Sequence, residues 1–314
     1  MTNIARLSRP SLHLIAAVVT PFRPDGSVDA ASLIRLVQHL KQHGVDEYFV
    51  VGSTGEAPLL DRNERLQVVE NVRKAESDGL IYAGVSGTGH KHAIRNATDA
   101  AAAGADVAVL MSPYFVALTQ DQLLDYVRAV ADASPIPVAV YHHLRMPTPF
   151  AVSTVARLST HPNIIGIKDT AGSTQNRCSE ILAATEGRPF LFFQGVENLT
   201  LSTLAAGGHG CVVAQGCIAP WLFRSLFDAW ASGDLPQARR AQDQIDGLWS
   251  IFSKREVQQS FLHFLHTLRL PLQQRGVIAS TTASTPHVSF PAEYDQLITE
   301  HMRRHLGEVP ASLA

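Results

Sequence analysis

Three kinds of side chain in this sequence stand where they could act together on a carbonyl compound. Lys168 follows Asn163–Ile164–Ile165–Gly166–Ile167 and precedes Asp169–Thr170–Ala171–Gly172, so a primary amine arrives where a short apolar run gives way to a polar turn. A strongly hydrated ammonium costs free energy at the mouth of an apolar core, and desolvation favours the neutral amine that attacks carbonyls. The ordinary alternative is a solvated or salt-bridged lysine at a strand end. Tyr141 closes a second apolar run, Val138–Ala139–Val140. A phenol in such a place shuttles a proton or packs with its hydroxyl in water. Ser53 and Thr54 lie in Gly52–Ser53–Thr54–Gly55–Glu56. Two hydroxyls bracketed by glycines leave backbone N–H groups approachable, which grips a carboxylate without a fixed positive charge; a tight turn with a helix cap has the same composition.

These residues can meet only if the elements carrying them converge. From His13 onward, short β-branched runs alternate with longer stretches of helical period. The expected strands are Leu14–Val19, Tyr48–Val51, Ile81–Val85, Val107–Leu110, Val138–Tyr141, Ile164–Lys168, Leu191–Gln194 and Gly210–Ala214. Between and after them, helices are expected over Ala30–Gln42, Arg62–Glu76, His90–Ala103, Gln120–Asp132, Val152–Ser159, Thr174–Ala184, Leu199–Ala206 and Ala219–Ala231. Asp29 and Asp61 stand at helix starts, and Gly44, Gly79 and Gly104 where helices should stop. Strands apolar on both faces, alternating eightfold with helices, make an α/β fold of the closed TIM (β/α)8 barrel type. An open doubly wound sheet would carry a glycine-rich phosphate loop after its first strand, where this chain has Thr20–Pro21–Phe22–Arg23–Pro24–Asp25–Gly26. Residues 1–232 would form the barrel with the site. Residues 233–314, with helices over Pro236–Phe252, Val257–Leu270 and Phe290–His305 and a polar Ser280–Thr285 segment, would form a helical extension packed on it.

Composition bounds the partners. With 17% charged residues and a formal net charge of −2, the 314-residue chain has no electrostatic footprint for nucleic acid or an anionic membrane surface. A small molecule is the expected partner. Cys178, Cys211 and Cys217 are odd in number and lack metal-ligand spacing, which fits free thiols in a reducing compartment. No apolar run is of membrane-spanning length, and Met1–Thr2–Asn3–Ile4–Ala5–Arg6 lacks the apolar core of a signal peptide, so the expected location is cytoplasmic. His142 and His143, with His90 and His92, raise a metal reading; neighbours on an extended segment point to opposite faces, and no third ligand is spaced to complete a site, so no metal is expected.

In a barrel, the residues at the carboxyl ends of the strands meet in one mouth. There the chain supplies Ser53–Thr54, Met111–Ser112–Pro113–Tyr114–Phe115, Tyr141–His142–His143, Lys168, and Gly207–Gly208–His209–Gly210 leading to Val212. Thr20–Pro21–Phe22, Gly52–Ser53–Thr54–Gly55–Glu56, Tyr141, Gly166–Ile167–Lys168–Asp169 and Gly207–Gly208–His209–Gly210 resemble, in order and spacing, the dihydrodipicolinate synthase/N-acetylneuraminate lyase family of class I aldolases. The likeness runs from about His13 to Ala231, and the helical tail fits it.

The resemblance implies a homotetramer, or a dimer, that forms a Schiff base between its lysine and the keto carbon of pyruvate or another 2-keto acid, with no metal or organic cofactor. It makes Lys168 the imine-forming lysine and Tyr141 the general acid/base. Ser53 and Thr54 would hold the substrate carboxylate, and Ser53 would also join a proton relay. Gly52, Val212, Tyr114, His142 and Arg145 complete the expected substrate-binding set. Glu56 would anchor its loop and Asp169 orient the turn after Lys168.

Three departures bear on the substrate. Ser53 replaces the first of two threonines. Tyr114–Phe115 replaces two consecutive tyrosines of the synthase branch, leaving that branch's relay across the subunit interface without its second phenol. His142–His143–Leu144–Arg145–Met146–Pro147 puts Met146 where the synthases have a carboxylate-binding arginine, with Arg145 one position early. The expected activity is therefore an aldolase acting on a 2-keto-3-deoxy sugar acid or another 2-keto acid. A dehydratase using the same imine, a dihydrodipicolinate synthase, and a non-catalytic 2-keto-acid-binding protein are the alternatives.

Overall fold

The computed structural model describes Leu7 and residues 12–170, 175–284 and 289–307. The N-terminal segment Met1–Arg6, the Ala171–Gly172 part of the turn after Lys168, the expected helix start at Thr174, and Thr285 lie outside the described residues.

Eight parallel strands close into a barrel in chain order: β1 (His13–Ala17), β2 (Glu47–Val50), β3 (Leu80–Gly84), β4 (Val107–Leu110), β5 (Val138–His143), β6 (Ile164–Thr170), β7 (Leu191–Gln194) and β8 (Gly210–Val213). β8 returns to β1 with Val212 opposite Ile15, which closes the sheet and leaves no edge. Outside it run α1 (Ala30–Gln42), α2 (Arg62–Ala75), α3 (His90–Ala102), α4 (Gln120–Ala133), α5 (Val152–Leu158), α6 (Gln175–Ala184), α7 (Thr200–Ala205) and α8 (Pro220–Ala231).

Local sequence explains these helices. Leu33, Leu36, Val37 and Leu40 recur at helical spacing and are buried against the sheet. The Asp29 carboxylate caps α1 by accepting from the Ser32 N–H, and Asp61 with Glu64 forms a reciprocal capping box on α2. Gly44 and Gly104 take φ of 75° and 102° after α1 and α3.

Beyond the barrel come α9 (Leu235–Trp249), α10 (Phe261–Gln274) and α11 (Ala292–Leu306). A 3-10 turn over Ser250–Ser253 follows α9, and α10, capped by Ser260, begins at Phe261, four residues after the expected start, then continues through Pro271. The buried face of α9 is Ala238, Ala241, Gln242, Ile245 and Leu248. Among the described residues no helix is long and apolar enough to cross a membrane.

Candidate active site

β5 and β6 continue two residues past Tyr141 and Lys168, which therefore sit inside the hydrogen-bonded ladder rather than at its end. Tyr141 lies opposite Lys168, His142 opposite Asp169, and His143 opposite Thr170. The register depends on an irregularity at the start of the pair: Val138 faces Ile164, but Ala139 faces Gly166, so β6 carries one extra residue, Ile165. Side chains alternate faces along a strand, and without that insertion Tyr141 would pair with Ile167. Ile167 would then enter the barrel and Lys168 would face the helices. A one-residue bulge aims the amine.

Lys168 is buried, with Nζ 4.2 Å from the centre of the Tyr141 ring and 4.8 Å from that of Phe49. The Phe49 and Tyr141 rings meet edge to face at 6.0 Å. Their π faces stabilise the ammonium and fix where it lies. The Ser53 Oγ and Tyr141 hydroxyl are hydrogen-bonded at 3.3 Å, with either group able to donate, so a continuous hydroxyl pair runs past the amine. Gly195, after β7, makes room: a Cβ there would lie 2.2 Å from Thr170 Oγ1 and 3.1 Å from Lys168 Cε.

Lys168, Tyr141, Ser53 and Gly195 line a cavity of about 700 Å³, to which Thr54, Tyr114, Arg145, Met146 and Val212 also contribute. Of the expected site residues, Gly52 and His142 are not on its wall. A Cβ on Gly52 would fall 2.5 Å from the Phe49 ring, so this glycine lets the loop fold over the phenylalanine instead of exposing backbone to a ligand. His142 points outward because its neighbours Tyr141 and His143 point inward. Its Nδ1 accepts from the Phe150 N–H at 3.1 Å and lies 3.2 Å from the Arg177 guanidinium, which also bonds Asp169 Oδ2 at 2.7 Å. Burial, with Arg177 adding to it against Asp169, lowers the His142 pKa and favours this neutral acceptor. The Arg177–Asp169 ion pair ties the residue after Lys168 to α6.

Three further groups reach the cavity. His143 lines it, and burial with the nearby Lys168 and Arg145 charges lowers its pKa to about 4, leaving a neutral imidazole near pH 7. Thr170 does so two residues after Lys168. Glu197, just after β7, lines it as a buried carboxyl whose Oε1 accepts the N–H groups of Ala214 and Gln215 at 2.8 and 3.2 Å; burial raises its pKa despite these bonds. His143 and Thr170 were findable from the two-residue repeat of strand faces, and Glu197 as the acid following the β7 apolar run.

The Ser53–Thr54 loop is held under strain. Val51 takes φ of 51°, a left-handed conformation unfavourable for a β-branched residue by roughly 1–3 kcal/mol. Thr20 Oγ1 donates to the Gly55 carbonyl at 2.8 Å, and buried Glu56 forms an ion pair with Arg269 of α10. The other Glu56 oxygen accepts from the Ser284 N–H and hydroxyl at 3.1 and 2.9 Å. Glu56 thus anchors the loop, and its anchor is the helical extension. Among the described residues no three His, Cys, Asp or Glu side chains are grouped as a metal site.

A closed (β/α)8 barrel that gathers a lysine, a tyrosine and paired hydroxyls over one cavity at the carboxyl ends of its strands has the architecture of a barrel enzyme. Residues 10–304 match the dihydrodipicolinate synthetase family, and the chain belongs to that family, a group of lyases and synthases. It is 36% identical over 233 residues to the 4-hydroxy-tetrahydrodipicolinate synthase of Acidiphilium cryptum, covering 74% of this chain and 79% of that protein. With the synthase of the same name from Synechococcus sp. (strain CC9605) the identity is 35% over 249 residues, covering 78% and 82%. Among solved structures, the fold is shared with YagE, a prophage protein of the dihydrodipicolinic acid synthase family from E. coli K12 in complex with pyruvate: TM-score 0.87, 24% identity, 93% of this chain and 98% of that one. The chloride-inhibited dihydrodipicolinate synthase from Acinetobacter baumannii, complexed with pyruvate, gives a TM-score of 0.84 at 26% identity, covering 93% and 98%.

Proposed function

We propose that the protein is a Schiff-base lyase that cleaves, or forms, the C3–C4 bond of a 4-hydroxy-2-keto acid, with pyruvate as the keto product. The 2-keto-3-deoxy sugar acids expected from the sequence are one kind of such substrate. The carrying observation is the pairing of Tyr141 with Lys168 on one rung, with Ser53 Oγ 3.3 Å from the phenol. Lys168 Nζ attacks the keto carbon, Tyr141 gives its phenol proton to the departing hydroxide, which leaves as water, and the protonated imine forms beside a Tyr141 phenolate. Tyr141 takes the proton of the C4 hydroxyl as the C3–C4 bond breaks; the electron pair passes into the imine to give an enamine, and the aldehyde departs. Protonation at C3 and hydrolysis return pyruvate and the free lysine. Ser53 and Thr54 hold the carboxylate.

Incubation with pyruvate and borohydride, followed by mass spectrometry, tests this directly. A reduced adduct on Lys168 is expected; its absence would remove the mechanism and favour a non-catalytic binding protein. Glu197 supports dehydration as a second reading, because it lines the cavity and its burial raises its pKa, which favours the protonated form that can donate to a departing hydroxide. Separate assays for pyruvate and for dehydrated product divide the two.

Met146 at the synthase arginine's position and Phe115 in place of the second phenol argue against dihydrodipicolinate synthase, although Arg145 also lines the cavity. Condensation of pyruvate with aspartate semialdehyde at an ordinary enzymatic rate would reverse that. We further propose a homotetramer, and a cytoplasmic location supported by three buried free cysteines. The helical extension after residue 232 is, on this view, a working part of the site.

A further inference from the structure

We infer that the half of the substrate remote from the keto acid is a flat, apolar group, so that the aldehyde partnered with pyruvate is aromatic; this rests on the Schiff-base function proposed above. The cavity has two unlike walls. The barrel side carries Ser53, Thr54, Tyr141 and Lys168, which suit a keto acid. The other wall comes from the helical extension and presents Trp249, Phe252, Phe261 and Phe264. These rings form one run: Trp249 and Phe252 have centres 5.2 Å apart, Phe252 and Phe264 5.1 Å, and Phe264 and Phe261 6.0 Å with planes only 15° apart. Trp249, Phe261 and Phe264 are half-buried, so part of each ring stays open to an occupant, although Trp249 and Phe264 also pack against the core.

Two polar side chains on that wall already hold protein partners. The Ser260 hydroxyl oxygen accepts the His263 N–H at 3.3 Å as the cap of α10 and bonds His263 Nδ1 at 2.9 Å. Gln258 Nε2 donates to the Phe252 carbonyl at 3.3 Å. A polyhydroxylated chain laid here would trade water for ring faces and leave hydroxyls without partners, whereas an aromatic ring would gain offset or edge contacts with several rings. Tyr114, His143, Arg145, Thr170 and Glu197, the remaining polar candidates for a distal group, come from the barrel strands and the loops after them. They lie on the barrel's side. The chemistry needs no additional co-reactant: in the imine of an aryl-substituted 4-hydroxy-2-keto acid the C4 hydroxyl gives its proton to Tyr141, the C3–C4 bond breaks with its electron pair passing into the imine, and the C4 fragment departs as the aryl aldehyde.

The test first records the borohydride-trapped pyruvate adduct, then compares condensation of pyruvate with benzaldehyde and with glyceraldehyde. We expect kcat/KM for benzaldehyde to exceed that for glyceraldehyde at least tenfold. Phe264→Leu, which keeps apolar bulk and the fold, should shift that ratio toward glyceraldehyde at least fivefold, with Phe252→Leu as an independent second variant and melting temperature as the control on folding. An adduct accompanied by equal or better use of glyceraldehyde, or by a ratio unmoved in both variants, overturns the aromatic assignment and leaves the Schiff base standing. Absence of the adduct overturns both.

Discussion

Tyr141 and Lys168 occupy one rung of the β5–β6 ladder, with the ammonium resting 4.2 Å from the centre of the phenol ring. The tyrosine therefore has two separable roles: its ring positions the amine, and its hydroxyl, bonded to Ser53, moves protons. Tyr141→Phe removes only the second. We expect turnover to fall about a hundredfold or more, the scale of a general acid–base contribution, while the borohydride-trapped pyruvate adduct still forms. Tyr141→Leu should slow adduct formation as well, and equal adduct rates in the two variants would show that the ring does not position the amine.

The bulge at Ile165 gives a sharper test of orientation. Inserting one alanine between Gly166 and Ile167 would set Ile167 opposite Tyr141 and move Lys168 opposite His142, on the outward face, whereas deleting Ile165 leaves Lys168 opposite Tyr141. Circular dichroism should still report a barrel in both variants, while the adduct on Lys168 is lost in the insertion variant as completely as in Lys168→Ala and persists in the deletion variant. An adduct retained in the insertion variant would refute the role given to the register.

The buried ion pair between Glu56 and Arg269 should make the barrel mouth depend on the tail. Arg269→Met leaves a carboxylate buried without its cation, and a loss of about 3–5 kcal/mol is expected in urea unfolding. Combining it with Glu56→Gln should recover part of that loss, because no unpaired charge then remains. Additive losses would mean that the two residues do not act as a pair.

Acid should destabilise the protein in a defined window. Burial holds His39 and His143 at about 4, below the ordinary value of 6.5. Between those values the unfolded chain binds protons that the folded chain refuses, so stability is complete above about pH 6.5 and falls as pH drops toward 4. His39 is the cleaner probe, since both of its ring nitrogens are buried without a hydrogen-bond partner. His39→Leu should raise the urea midpoint and flatten the acid limb, measured between pH 7.5 and 4.5; a steeper limb would contradict the assignment.

Phe115 is 94% exposed and takes φ of 72°, an unfavourable combination for an isolated subunit. Within the proposed homotetramer a second copy would cover the ring. Phe115→Gly suits the backbone and removes the ring, so sedimentation should find smaller species in that variant than in the parent. Unchanged assembly would locate the contact elsewhere.

Much of this was written in local sequence. β4 and β7 run over the residues expected of them, since apolar runs bounded by turn residues leave little freedom. The eightfold alternation specified the barrel, and with it the convergence of Ser53, Tyr141 and Lys168. The Ile165 bulge was not legible, because Ile164–Ile165–Gly166–Ile167 is apolar on both faces and gives no clue to register. His142 and His143 were legible: with Tyr141 facing the cavity, alternation alone puts His143 on the same face and turns His142 outward. Arg177 and Arg269 are the partners of Asp169 and Glu56 across helices that no spacing rule connects. The aromatic wall was hidden for the same reason, being split between the end of α9 and the start of α10.

The Glu56–Arg269 contact joins residues 213 positions apart, so it bears on how the chain is made as well as on how it stands. During synthesis all eight strands precede Arg269, and a nascent barrel holds its nucleophile, its phenol and its hydroxyl pair before the clamp on that pair exists. Ser284, which completes the coordination of Glu56, follows later still. Competence to hold a substrate is thereby deferred until α10 has been made, and a chain stopped short of α10 would have a barrel's worth of strands with its carboxylate cradle unsecured.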